Sequence, residues 1–229
     1  MSAKRLLDIV VAGALLILVL PLCLPIVVIL AMTGEREVFY AQTRVGLGGR
    51  RFKLLKFATM LKDSPNLGTG TVTVRGDPRV LPVGRVLRKS KLNELPQLLN
   101  VLRGDMSLVG PRPLAEQDFA YYPPEVRSQI VRARPGLTGL GSVVFRDEES
   151  LLAKSDLPPI EAYRTEVAPY KGRLECWYVE NRTLLLDLKL LVLTAVVVVL
   201  PTSAWPIKCL PDLSRETEPT VRRPDRGAF

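Results

Sequence analysis

The sequence predicts a helix-rich protein of mixed α and β structure, attached to a membrane near its N-terminus, and three observations lead to this fold class. Residues 9–31, IVVAGALLILVLPLCLPIVVILA, carry no charge. Residues 37–60 place β-forming residues on both sides of the stretch GLGG, which is typical of a hairpin. Four leucines, Leu95, Leu98, Leu99 and Leu102, recur at the spacing of one helix face. A chain of 229 residues is long enough for a membrane segment and one compact domain.

The uncharged run at 9–31 is long enough to enter a bilayer, because as a helix it would extend about 34 Å. A cleaved signal peptide is disfavoured, since the run is long for one and lacks a convincing A-x-A site. Pro21 and Pro25 each remove a backbone donor near its middle. A hairpin that re-enters the same face and a straight or kinked single span are both compatible with these prolines. Basic residues on both flanks favour a cytosolic position for both ends.

The composition restricts the chemistry. Lys and Arg number 32 against 23 Asp and Glu, a net charge of +9, which favours anionic partners such as phosphates, lipid headgroups or nucleic acid. The chain has no histidine, which excludes Ser-His-Asp triads and HExxH zinc sites. Its three cysteines are widely spaced and form no CxxC pair, so neither a disulfide framework nor a zinc site is indicated.

The rest of the chain reads as one domain with a C-terminal tail. The leucine helix begins with Asn93 as a candidate N-cap and Glu94 in its first turn, and Gly104 closes it. A second apolar run at 190–200 is too short to span a bilayer and predicts an interfacial or buried helix. The tail from residue 211 has little to bury and is expected to be disordered.

The same helix start offers a functional interpretation. A helix N-terminus attracts phosphate, and four basic residues stand just upstream of Glu94, so a diphosphate could bind there: Arg85, Arg88, Lys89 and Lys91. Arg112 lies between two ring-locked prolines, which fix the backbone and can aim its guanidinium at a ligand. The alternative for each feature is structural: a helix cap for Asn93 and Glu94, and solvated charge for the basic residues.

Several motifs in order resemble the bacterial sugar transferases, the monotopic phosphoglycosyl transferases that start surface-glycan assembly. They are Q-x-R-x-G at 42–46, FKLLKFATM at 52–60, LRKSKLNELPQLLNVLRGDMSLVGPRPL at 87–114, RPGLTGL at 134–140 and YVEN followed by LLLDLKLL at 178–191. The resemblance covers roughly residues 1–200. It implies a re-entrant N-terminal membrane helix and a cytosolic α/β catalytic domain on the bilayer surface.

The resemblance also implies an activity and its site. Such enzymes move a sugar phosphate from a UDP-sugar to a polyprenyl phosphate and release UMP, with an Asp-Glu pair and Mg²⁺ at the centre. The Asp attacks the diphosphate and holds the phosphosugar covalently, and the family's Pro-Arg-Pro motif, here Pro111, Arg112 and Pro113, is associated with the uridine nucleotide. Pro21 occupies the place of the helix-breaking proline, with Leu20 where the family usually has serine.

This chain departs from the family at several positions. Asn93 occupies the nucleophile position beside the retained Glu94, and a neutral amide neither attacks phosphorus well nor holds Mg²⁺ as a carboxylate does. Ala58 replaces a basic residue and Ser142 a common Gln, and VVFRDEES replaces an Asn-Gly-Arg-Asn-like stretch in which Arg146 is retained. Three explanations stay open: a deliberate substitution in an active enzyme, a paralogue that binds substrate without transferring it, or Glu94 acting as the attacking carboxylate or base.

These inferences give a complete expectation. Residues 1–35 form the re-entrant membrane segment, 36–205 the catalytic-type domain and 206–229 the disordered tail. Asn93 and Glu94 form the catalytic position with Mg²⁺, and the substrate contacts are Lys56, Arg88, Pro111, Arg112, Pro113 and Arg146. The expected partners are a UDP-sugar, polyprenyl phosphate and an anionic membrane surface at the cytosolic face of the bacterial inner membrane. Nucleic acid is disfavoured because no aromatic residues interleave the basic ones, and a homo-oligomer is left open.

Overall fold

A computed structural model describes residues 2–68, 72–74, 76–146, 148–200 and Leu210. The four strands are β1 (Phe39–Val45), β2 (Arg51–Phe57), β3 (Ser107–Val109) and β4 (Gly136–Thr138). The longest helices are α1 (Ala3–Met32), α9 (Ala168–Asn181) and α10 (Leu184–Val199). Shorter helices lie between them: α2 (Pro82–Lys89), α3 (Gln97–Arg103), α4 (Glu116–Ala120), α5 (Pro124–Ile130), α6 (Leu140–Val144), α7 (Glu148–Leu152) and α8 (Pro159–Ala162). The prediction of a mixed, helix-rich fold is confirmed at this level.

The N-terminal helix α1 is the one helix in the described ranges that is long and apolar enough to cross a membrane. Ser2 caps it by accepting a hydrogen bond from the Arg5 backbone N–H at 3.3 Å. Helical residues continue through Pro21 and Pro25 to Met32, so α1 does not end at either proline, and a kink or break of the membrane segment at Pro21 stays a prediction. Each proline removes one backbone hydrogen bond, a loss that a helix can absorb by bending without ending.

Both ends of α1 pack on the domain that follows. Near its start Lys4 pairs with Asp187 at 2.5 Å, and Asp8 accepts hydrogen bonds from Ser107 Oγ at 3.0 Å and the Leu108 N–H at 2.9 Å. Near its end Ile26 and Leu30 form a buried cluster with Phe57 and Leu87. Between these contacts most of the large apolar side chains are exposed, among them Leu15, Ile17, Leu18, Leu20, Leu22 and Leu24.

The hairpin predicted at 37–60 is confirmed. Strands β1 and β2 pair antiparallel from Phe39 opposite Phe57 to Val45 opposite Arg51. The turn between them contains Gly48 and Gly49 at φ of 64° and 76°, a left-handed conformation that glycine adopts without strain. The turn is therefore set by these two glycines, as the stretch GLGG predicts.

The predicted helix cap at Asn93 is wrong. Residues Leu92–Glu94 form a separate 3₁₀ turn preceded by Lys91 in a left-handed conformation at φ 60°, and α3 begins only at Gln97 with Pro96 as its N-cap. Pro96 has no N–H to donate and a restricted φ, so it starts a new helix more readily than it continues the turn. The predicted end of α3 at Gly104 is confirmed by its φ of 92° and its bonds to the carbonyls of residues 100 and 101.

The core is built around the short parallel pair β3 and β4. Ser107 pairs with Gly136 and Val109 with Thr138, and residues 110 and 136 approach so closely that a side chain on Gly110 would strike the backbone of Arg134. This approach fixes the start of the Pro-Arg-Pro segment, because it follows β3 directly.

The apolar run at 190–200 belongs to α10, which is longer than predicted. Its inner face buries Leu190, Leu193 and Val197, and its outer face exposes Leu185, Leu188 and Val192. One face of α10 is therefore buried in the domain, and the opposite, exposed face is apolar as well. The division of the chain at residues 35 and 205 stays a prediction, and the expected disorder of the tail from 211 lies outside the described residues.

Candidate active site

Four elements bring charged side chains together around Glu94. Lys56 lies near the end of β2, Arg88 near the end of α2, Glu94 in the 3₁₀ turn and Arg112 directly after β3. The Lys56 Nζ is 3.7 Å from Glu94 Oε1, and these two side chains are 21% and 24% exposed. The cluster is therefore reachable from solvent, as a substrate site requires.

The electrostatics of this cluster keep Glu94 ionised. Burial alone would raise the pKa of Glu94, but the positive charges of Lys56, Arg112, Lys91 and Arg88 outweigh it and hold the pKa below its usual range. The pKa of Lys56 is shifted as well: burial lowers it to about 8, although the charge of Glu94 opposes this shift. The surplus of positive charge is suited to binding an anion with several charges, such as a diphosphate.

Asn93 is buried beside this cluster. It is 5% exposed, and its side-chain Oδ1 has no hydrogen-bond partner among the residues that the structure describes. A buried amide oxygen without a partner costs free energy, so it marks a position where a ligand or ion would supply the missing bond. Asn93 and Glu94 therefore share the 3₁₀ turn and neither caps a helix, and their role as a catalytic pair stays a prediction.

Three contacts hold the backbone around Arg112. The Pro111 carbonyl accepts a hydrogen bond from the Gly136 N–H at 2.8 Å, and the Pro113 carbonyl accepts one from Arg44 Nη1 at 3.4 Å. The Arg112 N–H itself donates to Glu175 Oε1 at 3.2 Å. Pro111 and Arg112 also line a small, mostly apolar cleft together with eight further residues: Val45, Gly46, Leu114, Phe119, Ile130, Val131, Ala133 and Pro135.

A second group of charged side chains near Arg112 comes from α7 and α9. Burial would lower the pKa of Arg112, but Glu148 and then Glu94 raise it, so the guanidinium is flanked by acidic groups from two elements. Glu148 forms an ion pair with the buried Lys171, whose Nζ also lies 5.7 Å from the ring centroids of both Phe145 and Tyr163. This packing anchors α7 to α9.

Arg44 on β1 connects the hairpin to this region. Its guanidinium lies 3.8 Å from the Asp118 carboxylate. Its Nη2 also donates a hydrogen bond to the side-chain oxygen of Gln42. Burial, together with the nearby charge of Arg112, lowers the pKa of Arg44 to about 10. The motif Q-x-R-x-G therefore serves to hold Arg44 against the Pro113 carbonyl.

The remaining predicted residues are Arg88, Arg146 and Pro21. Arg88 belongs to the cluster electrostatically, and its Nη1 approaches Met60 Sδ at 3.7 Å. Arg146 is half-buried between α6 and α7, near the segment that carries Glu148. Pro21 is exposed in the middle of α1, so it is a membrane-segment residue and not part of the charged cluster.

The oxygen donors at the site suit a Mg²⁺ ion that takes only one or two of its ligands from the protein. Within the described ranges, no group of three or more His, Cys, Asp or Glu side chains is arranged to hold a metal ion. The available donors are the Glu94 carboxylate and the unpartnered Asn93 amide oxygen. Mg²⁺ commonly binds one or two carboxylates and takes its other oxygens from substrate phosphates and water, so these donors fit that mode.

Sequence reasoning missed Glu148, Tyr163, Lys171 and Glu175. Tyr163 begins a π-helical turn, Tyr163–Val167, a feature that often accompanies functional sites and that has no clear sequence signal. Lys171 and Glu175 are four residues apart on α9, and a charged pair at this spacing reads as an exposed, solvated one. Their burial at 2% and 3% is visible only in the folded chain.

Comparison with known proteins follows the same motifs. The family model described as Bacterial sugar transferase matches residues 1–201. The chain is 38% identical over 200 residues to the exopolysaccharide production protein ExoY of Rhizobium meliloti (strain 1021), which covers 81% of this chain and 80% of that protein.

Two further relatives are longer proteins. Identity is 47% over 144 residues to the UDP-glucose:undecaprenyl-phosphate glucose-1-phosphate transferase of Caulobacter vibrioides, covering 61% of this chain and 53% of that protein. It is 34% over 216 residues to the undecaprenyl-phosphate galactose phosphotransferase of Salmonella typhimurium, covering 88% of this chain and 41% of that protein. With a family match over most of its length, the chain belongs to the bacterial sugar transferase family.

Proposed function

We propose that this chain transfers a sugar phosphate from a UDP-sugar to undecaprenyl phosphate and releases UMP. The observation that carries this proposal is the ring of cationic side chains around one ionised carboxylate, next to the Pro-Arg-Pro segment. Relatives named as undecaprenyl-phosphate sugar-phosphate transferases support the substrate classes, and the exopolysaccharide name of another supports a role in surface-glycan assembly.

We assign the substrate contacts by charge and position. Lys56, Arg88 and Arg112 bind the diphosphate, with Arg146 at the edge of the site, and Pro111 and Pro113 hold the segment that faces the uridine nucleotide. An oxygen nucleophile, either that of undecaprenyl phosphate directly or first the Glu94 carboxylate, forms a new bond to the phosphorus that carries the sugar. The bond from this phosphorus to the UMP oxygen breaks at the same time, and the positive charges stabilise the departing UMP. Mg²⁺, held by Glu94, the Asn93 amide oxygen and substrate phosphates, would neutralise part of the diphosphate charge.

The membrane geometry that best fits is re-entrant. One side of α1 packs on the domain from its start, through Leu16 and Val19, to Leu30, while its other sides expose apolar residues to the surroundings. A segment that enters and leaves the bilayer by the same face keeps both ends of α1 on the domain. We therefore place the domain on the cytosolic face of the bacterial inner membrane, where the basic flanks of α1 meet anionic headgroups.

A second candidate function follows from Asn93. An amide cannot form the covalent phosphosugar that a carboxylate forms, so a chain with Asn93 could bind the nucleotide-sugar or the lipid phosphate without efficient transfer. The names of the relatives give this alternative no support, since those with a stated activity are transferases. Turnover separates the two candidates directly.

The deciding experiment compares this chain with Asn93→Asp. UMP release is measured with a panel of UDP-sugars, undecaprenyl phosphate and Mg²⁺, alongside UDP-sugar binding by calorimetry. We expect this chain to release UMP, and Asn93→Asp to release it faster because that variant restores a carboxylate beside Glu94. Equal turnover would mean that Glu94 or another group suffices. UDP-sugar binding without UMP release by this chain, whether or not Asn93→Asp turns over, would favour the second candidate.

The topology has its own test. Single cysteines at Ser2 and Tyr40, in a chain whose other cysteines are replaced, are labelled with a membrane-impermeant reagent from each face of sealed vesicles. A re-entrant α1 places both residues on the same face. Labelling from opposite faces would refute the re-entrant geometry and leave a spanning helix.

A further inference from the structure

Glu175 is a buried carboxylate that the proposed chemistry does not use. It lies on α9 and is 3% exposed, and its Oε1 accepts the hydrogen bond from the Arg112 N–H at 3.2 Å. Its second oxygen, Oε2, has no hydrogen-bond partner in the part of the chain that the structure describes. Burying a carboxylate for a single backbone contact is costly, so the contact needs a reason.

The Pro-Arg-Pro segment has one backbone donor, and Glu175 takes it. Pro111 and Pro113 have no N–H, so the Arg112 N–H is the single donor within these three residues. The two proline carbonyls are held separately, by the Gly136 N–H and by Arg44. Without Glu175 the donor at the centre of the segment would lose its protein partner, and the backbone of the residue that carries the guanidinium would no longer be held.

The surroundings of Glu175 are shaped to keep it in place. A side chain on Gly141, in α6, would lie well inside contact distance of Glu175 Oε1 and within 3.4 Å of Lys171 Cγ. Lys171, one turn earlier on α9, pairs with Glu148 and does not occupy the free oxygen of Glu175. The glycine and the diverted lysine leave the carboxylate directed at the Arg112 N–H.

We propose that Glu175 is a positioning residue: through its hydrogen bond to the Arg112 backbone it fixes the direction in which the Arg112 guanidinium meets the phosphates of the nucleotide. The inference rests on the proposed function, which puts Arg112 at the nucleotide. A carboxyl group suits the task because it offers an acceptor oxygen to the Arg112 N–H in either protonation state. Glutamine keeps the acceptor oxygen and leucine removes it, so the two substitutions separate the hydrogen bond from the charge.

The test is a double-mutant cycle on UMP affinity, measured by calorimetry on the full chain in lipid nanodiscs with Mg²⁺. The variants are Glu175→Leu, Glu175→Gln, Arg112→Ala and the double variant Arg112→Ala/Glu175→Leu. Glu180→Leu is the matched control, since Glu180 lies on the same helix, is exposed and contacts Gln129. We expect Glu175→Leu to weaken UMP binding about tenfold, with Glu175→Gln and Glu180→Leu within about twofold.

The decisive comparison is the effect of Glu175→Leu in the unaltered chain against its effect in Arg112→Ala, which lacks the guanidinium. If Glu175 acts through Arg112, Glu175→Leu changes UMP affinity by less than about twofold in the Arg112→Ala background. An equal tenfold loss in both backgrounds overturns the proposal, because it shows a general structural effect. Loss of affinity in Glu175→Gln as large as in Glu175→Leu also overturns it, since the acceptor is retained there.

The remaining outcomes separate this inference from the proposed function. If Arg112→Ala leaves UMP affinity unchanged, or the unaltered chain does not bind UMP, the nucleotide assignment fails and this inference fails with it. If Arg112→Ala weakens binding but Glu175→Leu does not, the positioning role alone is overturned. Should Glu175→Leu not fold, Gly141→Ala displaces the carboxylate without removing it, and the same non-additivity with Arg112→Ala is expected.

Discussion

Glu94 and Glu175 lie on two sides of Arg112, and their environments drive their ionisation in opposite directions. Burial would raise the pKa of Glu94, but four cations hold it below its usual range. Burial also raises the pKa of Glu175, here to about 7, because only the Arg112 N–H and the charges of Lys171 and Arg112 oppose it. The facing cations therefore outweigh burial at Glu94 and do not outweigh it at Glu175.

The difference matches two different uses of the same side chain. Glu94 is a quarter exposed in a positively charged cluster, so it stays ionised where substrate and Mg²⁺ are proposed to bind. Glu175 is almost fully buried against the backbone of the Pro-Arg-Pro segment, where an acceptor oxygen is needed and a charge is costly. Substitutions that remove the charge and keep the shape should therefore affect the two residues very differently.

The largest expected effect is that of Glu94→Gln on turnover. In the Asn93→Asp background, we expect UMP release to fall by about 10²- to 10⁴-fold, because the site loses the carboxylate that its cations surround. Glu175→Gln in the same background should lose no more than a few-fold. Similar losses in the two variants would remove the distinction between a reacting group and a positioning group.

The second prediction concerns the stability of Glu175→Gln. The groups that face Glu175 are Lys171 on its own helix, Arg112 after β3 and Tyr122 between α4 and α5. Its pKa is raised from 4.5 to about 7 on folding, so its contribution to stability is fully present below pH 4.5 and is lost as pH rises towards 7. Glutamine does not titrate and avoids this loss.

Glu175→Gln should therefore become more stable than the unaltered chain as pH rises, by about 3 kcal/mol between pH 4.5 and pH 8. Thermal unfolding in detergent at both pH values measures the difference, and several degrees in Tm are expected. Glu180→Gln, an exposed glutamate on the same helix, is the control and should show no such trend. A constant difference across this range would mean that Glu175 is ionised in the folded chain.

Local signals in the sequence predicted the elements that local chemistry determines. The glycines at 48 and 49 gave the hairpin, and Gly104 gave the end of α3. The cap at Asn93 was wrong because the deciding feature, the left-handed conformation of Lys91, has no residue-type signal at a lysine. The sequence also does not show how α1 packs on the domain, since its contacts are made with residues far along the chain.

The site was predictable only in part for the same reason. Glu94 and Arg112 stand in recognisable motifs, whereas Glu175 contacts a backbone N–H 63 positions away and belongs to no local pattern. Glu148 and Lys171 pair across 23 positions between two helices. Such contacts depend on how α6, α7 and α9 pack, which neither spacing nor charge in one segment determines.

Asp187 is another buried carboxylate, and its partners include one cation, Lys4. Lys4 contacts Asp187 Oδ2 at 2.5 Å, and the Tyr178 hydroxyl donates to Oδ1 at 2.6 Å. Lys4→Met leaves the carboxylate buried without its cation and should destabilise the chain by about 2 kcal/mol, or roughly 4–8 °C in Tm. Lys62→Met, which breaks the exposed pair with Glu37, should leave the Tm nearly unchanged. Equal costs would show that burial of the carboxylate does not matter.

The smallest expected effect belongs to Lys56, the nearest cation to Glu94. Lys56→Met removes a positive charge 3.7 Å from the carboxylate, so the pKa of Glu94 should rise and the acid limb of the pH–rate profile should move to higher pH. In the Asn93→Asp background, we expect a loss of a few-fold below pH 6. The matched control is Lys53→Met on the same strand, since Lys53 is exposed and bonds to Thr43 Oγ1 at 2.9 Å.

The basic limb tests the same cation independently. Because burial lowers the pKa of Lys56 to about 8, its ammonium loses its proton as pH rises through that value, and diphosphate binding should weaken. The KM for the UDP-sugar should therefore rise above pH 8 in the chain with Lys56 and stay level in Lys56→Met. If both limbs are unchanged in Lys56→Met, the charge of Glu94 is set by Arg112, Lys91 and Arg88 alone. The contrast with Glu175 would then depend on the arginines that face Glu94 and not on its nearest lysine.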